Sequence, residues 1–421
     1  MKILIAFCIS VFMVYADFIK AESDSVIYYG LSDLIRYAEK NNSLLEPVEI
    51  QRKIELLKKD QLNKQPAPMF EAMIDYIPYD FSAKPEYSGF YTQRLLLAGK
   101  LDANELIGNV KAEKESISLE RLKIDLKRQI KSDYFNLYYY ERIIEFNNEY
   151  KNIISRIIKT LEANYSSGIG TQSSILKMNN ELLMLDYELI EFETKRKLYV
   201  NNLRVLTSLN IPDEYSTKGI REYIEKIPKM DPELLTKEMI KNNPEFKMVE
   251  NMIEESRAER KMNELEKIPD LTLKGGYRYM AEDKMSFFNF TVGVDLTFMP
   301  WNLNRINALI KENQISELKA GSLRNSALQY MQNELQGMLI MINSLNEKIK
   351  FLEEVFIPQV KLTFNSSLAA YSSGSDEFMN LLDTFRKLRE TLELKLNDET
   401  DLLKQTGELE FLIGNNLIAV N

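Results

Sequence analysis

The chain has 421 residues, with 54 Lys and Arg against 63 Asp and Glu, and a formal net charge of −9 at pH 7. Hydrophobic residues make up 45% of it, which is enough for a core and excludes global disorder. The sequence contains no histidine, so Ser-His and Cys-His catalysis and histidine metal sites are excluded. The acidic balance argues against nucleic-acid binding, which needs a basic surface. Only 15 Gly and 12 Pro interrupt the chain, which favours long elements.

The first residues have the pattern of a secretory signal peptide. A basic start is followed by the apolar run 3–15, and small residues stand at Ala16 and Ala21. We therefore predict a signal peptide over residues 1–21, cleaved after Ala16 or Ala21. The alternative is a membrane anchor, but the run is shorter than the roughly 20 residues that a spanning helix needs. Cys8, the only cysteine, lies in this run, so the mature chain is expected to have no thiol.

Short segments of the first half recur in the second half in the same order. Residues 40–43 (Lys-Asn-Asn-Ser) match 241–244 (Lys-Asn-Asn-Pro), and the tetrapeptide at 165–168 (Tyr-Ser-Ser-Gly) is repeated identically at 371–374. Each match lies about 200 residues after its counterpart, which indicates a tandem duplication. The predicted organisation after the signal peptide is a first repeat, a connector, a second repeat and a C-terminal tail, over residues 22–209, 210–230, 231–414 and 415–421.

Each repeat is predicted to contain a helix, two short strands, a long helix, a Ser/Gly tip and a final helix. A helix of about 65 residues is about 100 Å long, and the two shorter helices of a repeat match it when placed end to end. Leucines spaced 3 and 4 apart in the final helix of the first repeat are typical of coiled coils. The fold is therefore predicted to be mainly α, with long antiparallel helical hairpins and a small β part. The predicted helices are 31–65, 101–163 and 172–209, then 232–267, 303–370 and 376–413.

Four strands are predicted, over residues 70–76, 89–97, 271–279 and 287–298, and their hydropathy alternates, although Gln93 and Arg94 disturb the alternation in the first half. The two strands of the second half are about 10 to 12 residues long, the length that crosses a membrane in a β-barrel. The alternative is an amphipathic hairpin on a soluble domain, but no further layer is available to cover it. Four strands cannot close a membrane barrel, whose smallest members have eight, so several chains must contribute and three would give twelve. The membrane-facing side chains of the last strand are predicted to be Phe288, Phe290, Val292, Val294, Leu296 and Phe298.

With these features the chain resembles the TolC-like outer-membrane efflux proteins, the exit ducts of bacterial tripartite pumps. The resemblance rests on the tandem repeat, on Leu-Ala-Gly-Lys at 97–100, and on the two tips with Tyr165 and Gly168 and with Tyr371 and Gly374. It implies a homotrimer with a 12-stranded β-barrel in outer-membrane lipid and an α-barrel reaching into the periplasm. It also implies that the tips dock onto a periplasmic adaptor, which joins the duct to an inner-membrane pump. No cofactor is expected.

The same resemblance suggests a gate at the helical tips. The carboxylates of the family's aperture correspond to positions six and nine residues after the second tip glycine, which are Asn380 and Asp383 here. The gate is therefore expected at Asp383, with Asp376 and Glu377 replacing the charge that Asn380 lacks. A threefold ring of carboxylates attracts cations. The alternative for Asp376 and Glu377 is a favourable charge at a helix N-terminus.

The resulting functional prediction is a passive exit duct in the outer membrane and not an enzyme. The alternative is a periplasmic adaptor or coiled-coil scaffold without a pore. A bilayer-length apolar strand face favours the duct, because a scaffold has no need of one. The family often has a Pro-Leu-Phe pattern followed by Gly where residues 298–302 are Phe-Met-Pro-Trp-Asn, so the junction after the last strand is expected to differ.

Overall fold

The computed structural model describes residues 29–417, except 76–78, 80, 81, 83, 169, 218, 226, 228, 229, 374 and 376. The predicted signal peptide, the end of the first predicted strand and the last four residues of the tail lie outside the described residues, as do Gly374 and Asp376. In the described part, no helix has both the length and the hydropathy that crossing a membrane requires.

The chain is mostly helical. The first half contains α1 (Leu31–Asn41), α2 (Leu45–Leu62), β1 (Met69–Asp75), β2 (Glu86–Leu95), α3 (Lys100–Ser166) and α4 (Gln172–Thr207). The connector contains the short helix α5 (Arg221–Glu225). The second half contains α6 (Pro232–Asn242), α7 (Pro244–Leu265), β3 (Leu271–Met280), β4 (Met285–Val294), α8 (Pro300–Phe351), a π-helical turn (Leu352–Phe356), α9 (Ile357–Ser372) and α10 (Phe378–Ile413).

The elements lie side by side in three successive tiers. The first tier is an antiparallel sheet in the order β1-β2-β3-β4. In the second tier the helices lie in the order α2-α3-α7-α8. In the third tier the order is α4-α3-α10, followed by the C-terminal part of α8 together with α9. Among the residues that the structure describes, every tier therefore has two elements with a closely packed neighbour on one side only.

Three clusters of buried side chains hold the helices together. The first surrounds Tyr134 and joins α1, α3 and α4 to Tyr215 of the connector. The second lies toward the tips, where Tyr150, Phe364 and Phe385 pack between α3, α9 and α10. The third joins α6 and α7 to α8 and α10. The core is thus distributed along the length of the helical layer.

The predicted single helices 31–65 and 232–267 are each broken, at Asn42 and Asn243. Both residues have an extended backbone, with ψ of 122°. The Asn42 amide donates to the carbonyl oxygen of Leu206 over 2.6 Å, and the Asn243 amide donates to that of Leu412 over 2.7 Å. Each repeated asparagine therefore ties the first helices of its half to the end of the last helix of that half.

Two further sequence predictions differ from the structure. The predicted helix 303–370 is interrupted by the π-helical turn. The predicted strand 287–298 ends at Val294, because the Asp295 N–H donates to the Asp270 carbonyl (3.2 Å) and the Thr297 N–H to the Asp295 carbonyl (2.9 Å), which turns the chain toward α8. Leu296 and Phe298 consequently lie in this turn and not in β4.

Replacing either tying asparagine is expected to destabilise the fold. Asn42→Ala leaves the half-buried Leu206 carbonyl, and Asn243→Ala the buried Leu412 carbonyl, without its side-chain donor, and the free energy of unfolding should fall by about 1–3 kcal/mol. The measurement is denaturant unfolding of the detergent-solubilised protein. Asn41→Ala is the matched control, because the exposed Asn41 side chain bonds only to the Tyr37 carbonyl four residues earlier. Equal losses for Asn41→Ala and Asn42→Ala would contradict the assignment.

Candidate functional site

The sheet has one apolar and one polar face. Phe288 and Phe290 of β4 are 76% and 85% exposed, and Val292 and Val294 lie on the same face. The register aligns Tyr277 with Phe288 and Tyr91 with Gly275 and Phe290, so this face continues across the neighbouring strands. Leu296 and Phe298, beyond the strand, are also exposed. The apolar face has the width of all four strands and no described element covers it.

The opposite face of the sheet carries cross-strand ion pairs. Lys274 lies 2.8 Å from Glu71, and Arg278 lies 3.6 Å from Glu86. The Lys274 ammonium is also 4.3 Å from the centre of the Phe90 ring. Phe90 covers Gly276 so closely that a Cβ there would be 2.2 Å from the ring, which explains the glycine. Charges on this face are therefore paired across the sheet, from β3 to β2 for Arg278 and Glu86 and across β2 to β1 for Lys274 and Glu71.

A buried ion pair joins the two halves where the sheet meets the helices. Lys100, at the start of α3, donates to Asp270 (2.7 Å) and to the Ile268 carbonyl (2.7 Å), and its side chain is 4% exposed. Arg94 lies 3.1 Å from both Asp270 and Asp295. This contact explains the lysine of the Leu-Ala-Gly-Lys segment and the charged Arg94 that interrupts the alternation of β2. No pattern in the sequence indicates Asp270 as the partner of Lys100.

The two tips differ although their sequences are identical. In the first, the Gly168 N–H donates to the Tyr165 carbonyl (3.0 Å) with Gly168 at φ +76°, and the Tyr165 side chain is 50% exposed. In the second, Tyr371 is only 7% exposed and its ring meets Phe378 edge-on, with centroids 6.2 Å apart. Tyr165 is therefore accessible to a partner, whereas the Tyr371 ring supports the tip from inside.

The predicted gate residues lie at the start of α10. Glu377 is its N-cap residue and its carbonyl accepts the Asn380 N–H over 3.1 Å. Glu377, Asn380 and Asp383 are all exposed. Arg386, one turn after Asp383, is directed to Glu181 of α4, with which it forms an ion pair. The structure therefore brings the three described candidates together at one tip, and Asp376 lies outside the described residues.

Asp383 faces away from a groove on the other side of the layer. The groove lies between α3 and α9 and its lining includes Ile157, Phe364 and Leu388. Farther from the tips it continues as a cavity of about 560 Å³ whose lining includes Arg221 of the connector. Five residues separate Asp383 from Leu388, which places them about 140° apart around the helix. Asp383 and the connector therefore lie on opposite faces of the helical layer.

One carboxyl group within the helical layer has a strongly altered acidity. Burial raises the pKa of Asp133 on α3 to about 6, and a hydrogen bond from Asn202 opposes this only in part. Because an unfolded Asp has a pKa near 3.9, its contribution to stability is fully present below about pH 4 and is lost as pH rises to about 6.

Asp133→Asn should remove this pH dependence. Relative to the wild type, the variant is expected to gain stability as pH rises from about 4 to about 6, and the gain should be constant above that range. Parallel denaturant titrations of the two proteins over this interval measure the difference. A difference that does not change with pH would contradict the altered acidity of Asp133.

Part of the sequence matches a known protein family, and the whole fold is similar to solved outer-membrane proteins. Residues 235–415 match the family model described as outer membrane efflux protein. The fold is similar to CusC, a transmembrane channel, with a TM-score of 0.80 and 14% identity over 93% of each chain. It is also similar to VceC of Vibrio cholerae (0.73, 13% identity, 92% of this chain and 96% of the other). The open MtrE outer-membrane channel of Neisseria gonorrhoeae gives 0.73 and 15% identity over 92% of this chain and 89% of the other.

A search of curated protein sequences finds no match. The family match is limited to residues 235–415, where it agrees with the predicted resemblance, and the structural similarities confirm the mainly helical fold with one small sheet. Residues 235–415 thus match the outer membrane efflux protein family, and the chain as a whole shares its fold with solved outer-membrane proteins.

Proposed function

We propose that this protein is the outer-membrane exit duct of a tripartite efflux or secretion system. It passively conducts substrate that an inner-membrane pump and a periplasmic adaptor deliver. The observation that carries the proposal is the pair of open edges in every tier. Because these edges run along the whole length of the layer, copies that join edge to edge form a tube.

The edges are suited to contact with further copies. In the sheet, β1 and β4 each pair on one side only, which leaves backbone donors and acceptors for a neighbouring strand. The helical edges carry exposed apolar side chains at helical spacing, which in a monomeric soluble protein would be unusual. They are Ile50, Ile54 and Leu57 on α2, Leu183, Tyr187, Ile190, Leu198 and Val205 on α4, Ile315, Leu318, Tyr330, Ile340 and Phe351 on α8, and Leu362 on α9.

Three copies are the smallest number that gives an open tube. The contact of the first edge with the last is head-to-tail, and such contacts close into rings. Two copies would supply eight strands, and side chains fill the interior of an eight-stranded barrel. Three supply twelve strands, and α3, with 67 residues, gives a helical barrel about 100 Å long.

In this trimer the apolar sheet face contacts outer-membrane lipid and the tips lie in the periplasm. The membrane-facing side chains are those of β4, with Leu296 and Phe298 where the chain leaves the membrane. The exposed tip at Tyr165 and Gly168 docks onto the adaptor, and the buried Tyr371 ring, with Gly374, shapes the second tip beside it. Asp383, with Asp376, Glu377 and Asn380 near it, lines the periplasmic aperture. A scaffold without a pore would leave the outer edges of β1 and β4 unpaired.

Disrupting one helical edge is expected to abolish the trimer. The double variant Tyr187→Glu/Ile190→Glu places two charges in an apolar contact of α4, so light scattering in detergent should report single copies instead of three. Leu394→Glu is the matched control, because Leu394 is also exposed but lies on α10, which has neighbours on both sides. A monomeric or dimeric wild type would overturn the proposed stoichiometry.

Neutralising the proposed aperture should change ion conduction. Asp383→Asn removes three carboxylates from the narrow mouth of the trimer, so cation selectivity and block by divalent ions in planar bilayers are expected to weaken. Glu191→Gln, which neutralises an exposed acid on α4 far from the tips, is expected to change neither. If Asp383→Asn conducts like the wild type in every respect, the gate lies elsewhere.

A further inference from the structure

The cavity of about 560 Å³ beside the connector lies between two of the clusters of buried side chains. Tyr138 lines it and packs against the first cluster, and Phe146 lines it and packs against the second. These two residues of α3 are about 12 Å apart along the helix axis. Protein interiors are close-packed, so a gap of this volume between two clusters is unusual. Its volume is in the range of pockets that bind small molecules.

The floor of the cavity is apolar. Ile220 of the connector, Ile357 after the π-helical turn and Leu396 of α10 line it and are buried. Phe146 of α3 and Ile224 of α5 also line it and are half-buried. An apolar ligand that covers these side chains would remove their exposed surface from water, which is favourable.

The rim of the cavity is charged and has a surplus of positive charge. The charged side chains that line it are four cations and two acids, namely Arg142, Arg221, Lys361, Lys395, Glu353 and Glu399. The whole chain, in contrast, has a net charge of −9. The sign of the charge at the cavity is therefore opposite to that of the chain as a whole, which favours an anionic ligand.

Both acids of the rim bind the same cation. The Lys395 ammonium lies 2.7 Å from Glu353 of the π-helical turn and 3.2 Å from Glu399 of α10. These two carboxylates therefore neutralise Lys395 and leave the other three cations of the rim to be considered.

Two of these three cations are available to a ligand. Arg221 lies 3.1 Å from Glu225, but the two side chains are 88% and 67% exposed, and ion pairs this exposed are weak. Lys361 is exposed, and the described residues give it no ion-pair partner. The third cation, Arg142, lies over the Phe146 ring, 5.0 Å from its centre. Arg221 and Lys361 are thus the rim residues that are suited to bind an anion.

We propose that this cavity binds an amphiphilic organic anion, a molecule with an apolar body and a carboxylate or phosphate head. The body covers the apolar floor, and Arg221 and Lys361 donate charge-assisted hydrogen bonds to the head. A fully polar anion would leave the floor uncovered, and a neutral apolar molecule would make no use of the two cations. The combination of floor and rim therefore selects a molecule that has both parts.

The site is separate from the proposed conduit. The cavity and Asp383 lie on opposite faces of the helical layer, so a tube whose aperture is lined by Asp383 carries the cavity on its outside. The bound anion is therefore not cargo in transit. A single chain supplies all the lining residues, so the site does not depend on the trimer.

The test is equilibrium dialysis of radiolabelled decanoate against the protein in lipid nanodiscs, with empty nanodiscs as the blank. We expect saturable binding of one decanoate per chain. 1-Decanol has the same apolar body without the charge and should bind at least tenfold more weakly. Decyl phosphate, measured in the same way, distinguishes the two head groups, because the tighter of the two anions identifies the head that the rim prefers.

Variants of the rim and of the floor should have different effects. Arg221→Gln/Lys361→Gln is expected to raise the Kd of decanoate at least tenfold and to leave that of 1-decanol unchanged. Ile224→Trp fills the cavity from the connector and should weaken the binding of both molecules. Arg36→Gln/Lys58→Gln is the matched control, because it removes one Arg and one Lys charge from exposed side chains on α1 and α2.

The outcomes separate this site from the proposed function. Decanoate uptake no greater than that of empty nanodiscs would overturn the site, as would equal losses in the rim variant and in its control. 1-Decanol binding as tightly as decanoate would contradict the role of the two cations. A wild type that binds decanoate but forms no conducting trimer would overturn the proposed function and support the site.

Discussion

The continuous helix α3 determines the arrangement of the rest of the chain. It packs against α1 and α2, α4, α7 and α10, and thus contributes to both helical tiers. At one end Lys100 fixes it to Asp270 of the other half, and at the other end it forms the first tip. Because one helix spans the whole length of the helical layer, shorter helices can be placed along it in two tiers. The open edges of the tiers follow from that arrangement.

Periodicity was sufficient to predict the helices, the strands and their order, because each element buries one face. Interactions between distant residues were not predictable in this way. Asn42 breaks a helix because it binds the carbonyl of Leu206, a residue 164 positions later that gives no sign of this contact in the sequence. The π-helical turn was not predictable either, because Val355 and Phe356 are also apolar and only the structure shows that Ile357 is the next buried residue after Leu352.

The candidate site shows where identical sequence is misleading. The tips at 165–168 and 371–374 share every residue, yet Tyr165 is half exposed and Tyr371 is buried. The difference comes from the residue four positions after each tip glycine, which is Gln172 in the first half and Phe378 in the second. An aromatic side chain there covers the tyrosine, whereas glutamine does not. The two tips thus have different surfaces because of a neighbour outside the repeated tetrapeptide.

The tying asparagines, Asn42 and Asn243, also affect how many amino-acid substitutions such a fold tolerates. Asn42 and Asn243 bind main-chain carbonyl groups of Leu206 and Leu412, and every amino acid supplies that acceptor. The side chains of the partner helix are therefore free to be exchanged without loss of the connection, provided that the helix itself persists. A fold held by side chain-to-backbone contacts of this kind constrains few positions. A small number of constrained positions is consistent with the fold that this chain shares with CusC at 14% identity, where most aligned side chains differ.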